Sequence, residues 1–99
     1  MNNLLKSADD TFTKCREVLT QKSADYTGGK GAFYNFNLSE VVGVEPKRGM
    51  LVRIMDKIAR ASHILETEPE AKDEKLEDTI LDAINYLAIL KAKVEEENT

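Results

Sequence analysis

The chain has 99 residues, a formal net charge of −4 at pH 7 and one cysteine. That length suits one core, so we expect residues 1–99 to form a single helical domain. There is no apolar run of the roughly 18 residues that span a bilayer and no secretory signal, which predicts a cytoplasmic protein without a membrane partner. A lone cysteine excludes an intramolecular disulfide, and with one histidine it falls short of a zinc ligand set.

The middle of the chain is basic although the chain as a whole is acidic. Between Lys22 and Arg60 there are seven basic residues and four acidic ones, whereas from Glu66 onward there are eleven acidic residues and four lysines. The acidic C-terminal part would repel a long polyanion, so we expect no DNA partner. A small anion suits this distribution better.

The N-terminal part predicts one amphipathic helix followed by a loop. Apolar residues at helical spacing indicate a helix over residues 8–21, with Ser7 or Asp9 as its N-cap and Cys15 in the core. Residues 23–31 are expected to form a flexible loop, because three glycines within four residues each disfavour a helix by about 1 kcal/mol.

Three further helices are predicted after the loop. The first is a short helix around residues 39–42, which ends at Gly43. The second covers residues 49–67 and places one apolar stripe in the core. That stripe contains Leu51, Ile54, Met55, Ile58, Ser62 and Leu65. The third begins at an Asp73 cap, ends near Glu95 and is apolar on more than one side.

A helix that is apolar on two sides needs two packing partners, and a chain this small offers few. We therefore expect the second side to belong to another copy of the chain, with a tetramer as the favoured assembly. The predicted fold is all-α: a small bundle of three main helices plus a short helix, assembling as a homo-oligomer. No strand pattern competes with the helices.

Three groups of residues suggest a binding site. Four of the six aromatic residues surround the glycine-bearing loop, where rings could stack on nucleobases or plug the core. They are Tyr26, Phe33, Tyr34 and Phe36. The loop itself could approach an anion through its backbone or be a plain connection, and it does not match a P-loop.

The second group is a cationic stripe on the helix of residues 49–67. Its members lie three, four and seven residues apart and therefore share one face. They are Arg53, Asp56, Lys57, Arg60 and His63. This face could be simply solvated, or its arginines could fork onto phosphate oxygens.

The third group is an acidic stripe of Asp78, Asp82 and Asn85 within an apolar segment. Carboxylates there need partners that offset their desolvation. They could pair with Arg53, Lys57 or Arg60 as a structural bridge, accept hydrogen bonds from a base edge, or hold Mg2+ with substrate phosphates.

The order of these motifs resembles a known family. Lys22-x-x-Asp25-Tyr26, Asn35-Phe36, Arg53-x-x-Asp56-Lys57-x-x-Arg60 and Asp78-Thr79-x-x-Asp82-x-x-x-Tyr86 are similar to small all-α phage domains labelled as nucleotide-modification-associated. The resemblance covers about residues 20–90. Small phage proteins of this kind also resemble anti-CBASS sponges, oligomers that bind cyclic dinucleotides such as 3′3′-cGAMP without cleaving them.

The resemblance implies a phage protein that sequesters a nucleotide signal, with no catalytic residue, no metal ligand and no cofactor. A symmetric oligomer would match a ligand with two bases and two phosphodiesters. The ligand-binding residues expected on this basis are Lys22, Asp25, Tyr26, Phe33, Phe36, Arg53, Asp56, Lys57, Arg60, Asp78, Asp82 and Tyr86.

Two alternatives stay open. All-α nucleoside triphosphate pyrophosphatases carry E-x-x-E on one helix and E-x-x-D on the next around Mg2+, and the segment from Glu77 to Asp82 resembles the second half. The first half is missing, because Asp56 stands alone where two glutamates belong. The other alternative is an interaction module that blocks a host protein.

Overall fold

In a computed structural model, the backbone is described for residues 2–27, 37–67 and 72–98, and the side chains for residues 3–21, 37–67 and 75–98. These residues form three long helices and a short 3-10 helix, with no strand among them. The helices are α1 (Asn2–Thr27), the 3-10 helix (Leu38–Val42), α2 (Pro46–Thr67) and α3 (Lys72–Glu97). The predicted all-α class with three main helices and one short helix is confirmed.

Helix α1 is longer than predicted at both ends. It begins at Asn2, so Ser7 and Asp9 lie inside the helix, where their carbonyl oxygens accept hydrogen bonds from the hydroxyls of Thr11 and Thr13. Residues 23–27, predicted as loop, continue the helix. They contain neither glycine nor proline, so nothing in their backbone breaks the helix before the first glycine.

The predicted short helix and its end at Gly43 are confirmed. Gly43 adopts the left-handed conformation, with φ of 80°, and its N–H donates to the carbonyl of Glu40. Helix α2 then starts at Pro46, three residues earlier than predicted. Proline is favoured in the first helical turn, and the Glu45 carboxylate accepts a hydrogen bond from the Arg48 N–H at 3.3 Å, as an N-cap does.

Helices α2 and α3 form an antiparallel hairpin, which is the main packing of the chain. Lys47 pairs with Glu97, and Lys57 pairs with Asp82. Residue numbers therefore increase along α2 in the direction in which they decrease along α3. The apolar seam of α2 contains Met50, Ile54 and Ile64, all buried. Helix α3 begins at Lys72, one residue before the predicted Asp73 cap, and extends two residues past the predicted end.

The predicted buried stripe of α2 is wrong except at Ile54. Leu51, Met55, Ile58 and Leu65 are between 47 and 61% exposed, and Ser62 is also exposed. The helix has two adjacent apolar stripes separated by about 100° of rotation, and helical spacing fits both. The stripe with Met50 and Ile64 is the one that meets α3.

Helix α1 packs mainly on α3. The buried Cys15 thiol lies 3.9 Å from the carbonyl oxygen of Leu81, which is also buried. Next to Cys15, Lys14 forms an ion pair of 2.8 Å with Glu77, which lies one helical turn before Leu81 on α3. The expectation that Cys15 is a core residue is confirmed, and burial raises the pKa of its thiol.

Among the described residues, none of the helices combines the length and the apolarity needed to span a bilayer.

We predict that Met50→Ala destabilises the fold by about 2 to 5 kcal/mol, because it removes a fully buried side chain from the α2–α3 seam. Val52→Ala is the control, since Val52 lies in the same helix and is 60% exposed. Urea unfolding of both variants measures the difference. Equal midpoints would show that Met50 is not part of the stabilising seam.

We also predict that Cys15 in the native protein reacts with a thiol reagent at least tenfold more slowly than in urea. Its burial against α3 limits access, and its raised pKa reduces the thiolate fraction near neutral pH. Absorbance of the released reagent gives both rates. A native rate equal to the denatured one would mean that α1 does not stay docked on α3.

Candidate functional site

The described part of the predicted site lies on one side of the α2–α3 hairpin. The cationic stripe belongs to α2, and Arg53, Asp56 and Arg60 are exposed as predicted. The acidic stripe belongs to α3, where Asp78 is exposed and Asn85 is buried. We call the surface formed by Arg53, Lys57, Arg60, Asp78 and Asp82 the polar face.

The centre of the polar face is an ion pair between the two helices. The Nζ atom of Lys57 lies 3.1 Å from the Oδ2 atom of Asp82, and the two side chains are 27 and 21% exposed. Partial burial strengthens the attraction relative to a fully solvated pair. The structural bridge, one of the three alternatives for the acidic stripe, is therefore formed at Asp82.

The Lys57–Asp82 pair also fixes the register of the other charged residues. In an antiparallel hairpin, one turn forward on α2 corresponds to one turn back on α3. Arg60 therefore lies at the level of Asp78, and Arg53 at the level of Tyr86, which is partly buried. The arrangement places the Arg60 guanidinium and the Asp78 carboxylate at the same level on one side of the hairpin.

Five predicted ligand-binding residues fall outside the described side chains. They are Lys22, Asp25, Tyr26, Phe33 and Phe36. For the first three only the backbone is described, and it belongs to the last part of α1, whereas Asp25 and Tyr26 were predicted to lie in a loop. The structure thus brings together the cationic and acidic stripes, while the aromatic group lies outside the described residues.

A charged cluster near the open end of the hairpin was not predicted as a unit. Lys47 bonds to Glu97 and lies 3.7 Å from Glu45, while the nearly buried Lys93 pairs with Glu96 at 3.2 Å. The hydrogen bond between Lys47 and Glu97 raises the pKa of Lys47 and lowers the pKa of Glu97. The only sequence signal was the spacing of Lys93 three residues before Glu96.

A cleft of about 430 Å³ lies between α1 and α3, away from the polar face. The α1 side contributes polar side chains, including Asp10 and Lys14, and the other side contributes Leu65 and Ile80. Lys14 is bonded to Glu77 and lies 3.3 Å from Asp10, and these bonds raise its pKa. Because two carboxylates neutralise this lysine, the cleft offers little to an anionic ligand.

Among the described residues, no group of three or more histidine, cysteine or acidic side chains lies close enough together to hold a metal ion. Asp78 and Asp82 are one helical turn apart, and the Oδ2 atom of Asp82 is paired with Lys57. The four-carboxylate arrangement required by the hydrolase alternative is therefore not formed by these residues.

Comparison with protein-family models, with curated proteins and with solved structures gives no match to this chain.

We predict a coupling energy of about 1 kcal/mol between Lys57 and Asp82, from Lys57→Met, Asp82→Leu and the double variant. The pair bridges two helices and is partly shielded from water. The control cycle uses Lys91→Met and Glu95→Leu, because Lys91 and Glu95 form an exposed ion pair within α3. The coupling energy of this control pair should be about 0.3 to 0.5 kcal/mol. Urea unfolding of both cycles provides the values, and equal couplings would contradict an interhelical role for Lys57–Asp82.

Proposed function

We propose that this chain is a phage protein that binds and sequesters a nucleotide signal in the host cytoplasm without hydrolysing it, and thereby blunts antiviral immunity. The ligand that we favour is a cyclic dinucleotide such as 3′3′-cGAMP. The observation that carries the proposal is the polar face, where Arg53, Lys57 and Arg60 share one side of α2. The order of motifs, which resembles nucleotide-modification-associated phage domains, supports it.

The two arginines suit a ligand with two phosphodiesters. Arg53 and Arg60 are seven residues apart, so their Cα atoms lie about 10 Å apart along α2 on the same face. Both side chains are exposed. A guanidinium forks onto two phosphate oxygens at once and keeps its charge at any pH at which the protein is folded.

The acids on α3 give the polar face a second role. Asp82 holds the Lys57 ammonium at the helix interface and offsets its charge, so the exposed positive charge of the polar face comes mainly from Arg53 and Arg60. Asp78 is exposed one turn away and can accept hydrogen bonds from the N–H groups of a base edge.

The wider proposal includes the assembly and the aromatic residues. Residues 1–99 act as one nucleotide-binding domain, and copies assemble as a homo-oligomer, with a tetramer favoured. Tyr26, Phe33 and Phe36 stack on bases, while Lys22 and Asp25 add polar contacts. Asp56 and Tyr86 complete the proposed ligand-binding set.

We predict that the protein binds 3′3′-cGAMP and that Arg60→Ala weakens binding at least tenfold, because it removes a charge-assisted bond of about 1.5 to 3 kcal/mol. Arg16→Ala is the matched control, because Arg16 is an exposed arginine on α1. Calorimetry with cyclic dinucleotides and linear dinucleotides gives the affinities. Circular dichroism checks that both variants keep their helices.

The same samples separate the proposed sponge from its alternatives. After incubation with Mg2+, heat denaturation should release intact ligand. Recovery of cleaved ligand would indicate the nucleotide pyrophosphatase instead, and absence of binding to any nucleotide would leave the host-protein-blocking module. Equal affinity of Arg60→Ala and the native chain would remove the polar face from the binding site.

A further inference from the structure

An apolar surface covers the side of the α2–α3 hairpin opposite the polar face. On α2 it contains Leu51, Met55, Ile58 and Leu65, and on α3 it contains Ile80, Leu87 and Val94. The three residues of α3 are between 39 and 51% exposed. Leu65 and Ile80 line the same cleft, so the two stripes meet on one side of the hairpin, and α1 borders the surface at this end because Ser7, Asp10, Thr11 and Lys14 line the same cleft.

The spacing of this apolar surface is that of a helix–helix seam. Steps of four, three, four and three residues connect Leu51, Met55, Ile58, Ser62 and Leu65. Ile80, Leu87 and Val94 follow at steps of seven. Repeats of this kind keep a continuous apolar line facing a second helix along its whole length. Scattered surface leucines and isoleucines have no such regularity.

The apolar surface is formed by seven large side chains that are each between 39 and 61% exposed. Packing against a second copy would remove this apolar area from water, which is the main driving force of protein association.

The charges beside the α2 stripe favour a second copy of the same chain. Arg48 and Glu66 are both exposed and lie 18 residues apart, which is five full helical turns, so they occupy the same flank. If two α2 helices pack antiparallel with Ile58 near the centre, Arg48 of each copy lies opposite Glu66 of the other. Parallel packing would instead oppose like charges.

We propose that the apolar surface is the contact between two copies of this chain, related by a two-fold axis near Ile58, with their α2 helices antiparallel. The contact is isologous, because each copy contributes the same residues. It specifies the face used in the proposed homo-oligomer but is independent of nucleotide binding. The polar face stays accessible on the other side of each hairpin.

The test measures molecular mass by sedimentation equilibrium without nucleotide, between 1 and 100 micromolar, on the order of the affinities expected for such interfaces. The native chain should sediment at twice 11.1 kDa or a higher even multiple. Ile58→Asp and Leu87→Asp should each weaken association at least a hundredfold. The control is Val42→Asp, because Val42 is exposed in the 3-10 helix, outside the apolar surface.

A second comparison tests the antiparallel arrangement without changing any apolar side chain. Arg48→Glu should weaken association severalfold, and the double variant Arg48→Glu with Glu66→Arg should restore it to within a few fold. Circular dichroism verifies that each variant is helical. The proposal is overturned if the native chain remains at 11.1 kDa at the highest concentration, if both aspartate variants keep the native mass, or if the double reversal associates no better than the single one.

Discussion

The architecture depends on which face of α2 packs against α3. The seam of Met50, Ile54 and Ile64 is buried, and the Lys57–Asp82 pair crosses the same interface. This choice rotates the helix so that its arginines lie on one side of the hairpin and its second apolar stripe on the other. A rotation of one residue would bury Met55 and Ile58 instead and turn Arg53 and Arg60 away from α3.

The Lys57–Asp82 pair therefore serves the fold and the proposed ligand site together. As a bridge between helices, it offsets the desolvation of a carboxylate within a mostly apolar helix. As part of the polar face, it holds one cation beside two arginines.

The two proposals use opposite sides of one hairpin and do not compete. A small anion suits guanidinium groups on the polar face, whereas association requires the dehydration of leucine, isoleucine and methionine on the apolar surface. Two-fold symmetry would repeat the polar face once per copy. In the proposed dimer the two polar faces lie on opposite outer sides, so a ligand with two-fold symmetry could contact two of them only across a further contact in a higher oligomer.

The sequence determined the all-α class, the order of the helices and the stop at Gly43, because these follow from local spacing and backbone restrictions. It also determined that arginines share one face of α2 and carboxylates one face of α3, since helical periodicity fixes faces within an element. It misjudged the five residues 23–27, which continue α1, because the glycines that follow them suggested that the loop begins at residue 23. Boundaries of this kind depend on where the helix is interrupted rather than on average composition.

Only the tertiary structure decided which of the two apolar stripes of α2 is buried and which acid Lys57 pairs with. Periodicity ranks Ile58 and Ile64 equally, yet Ile58 is 53% exposed and Ile64 is buried. The physical reason is that burial is a property of a pair of helices: the rotation of α2 is set by the side chains that α3 presents to it, and no pattern within α2 contains that information.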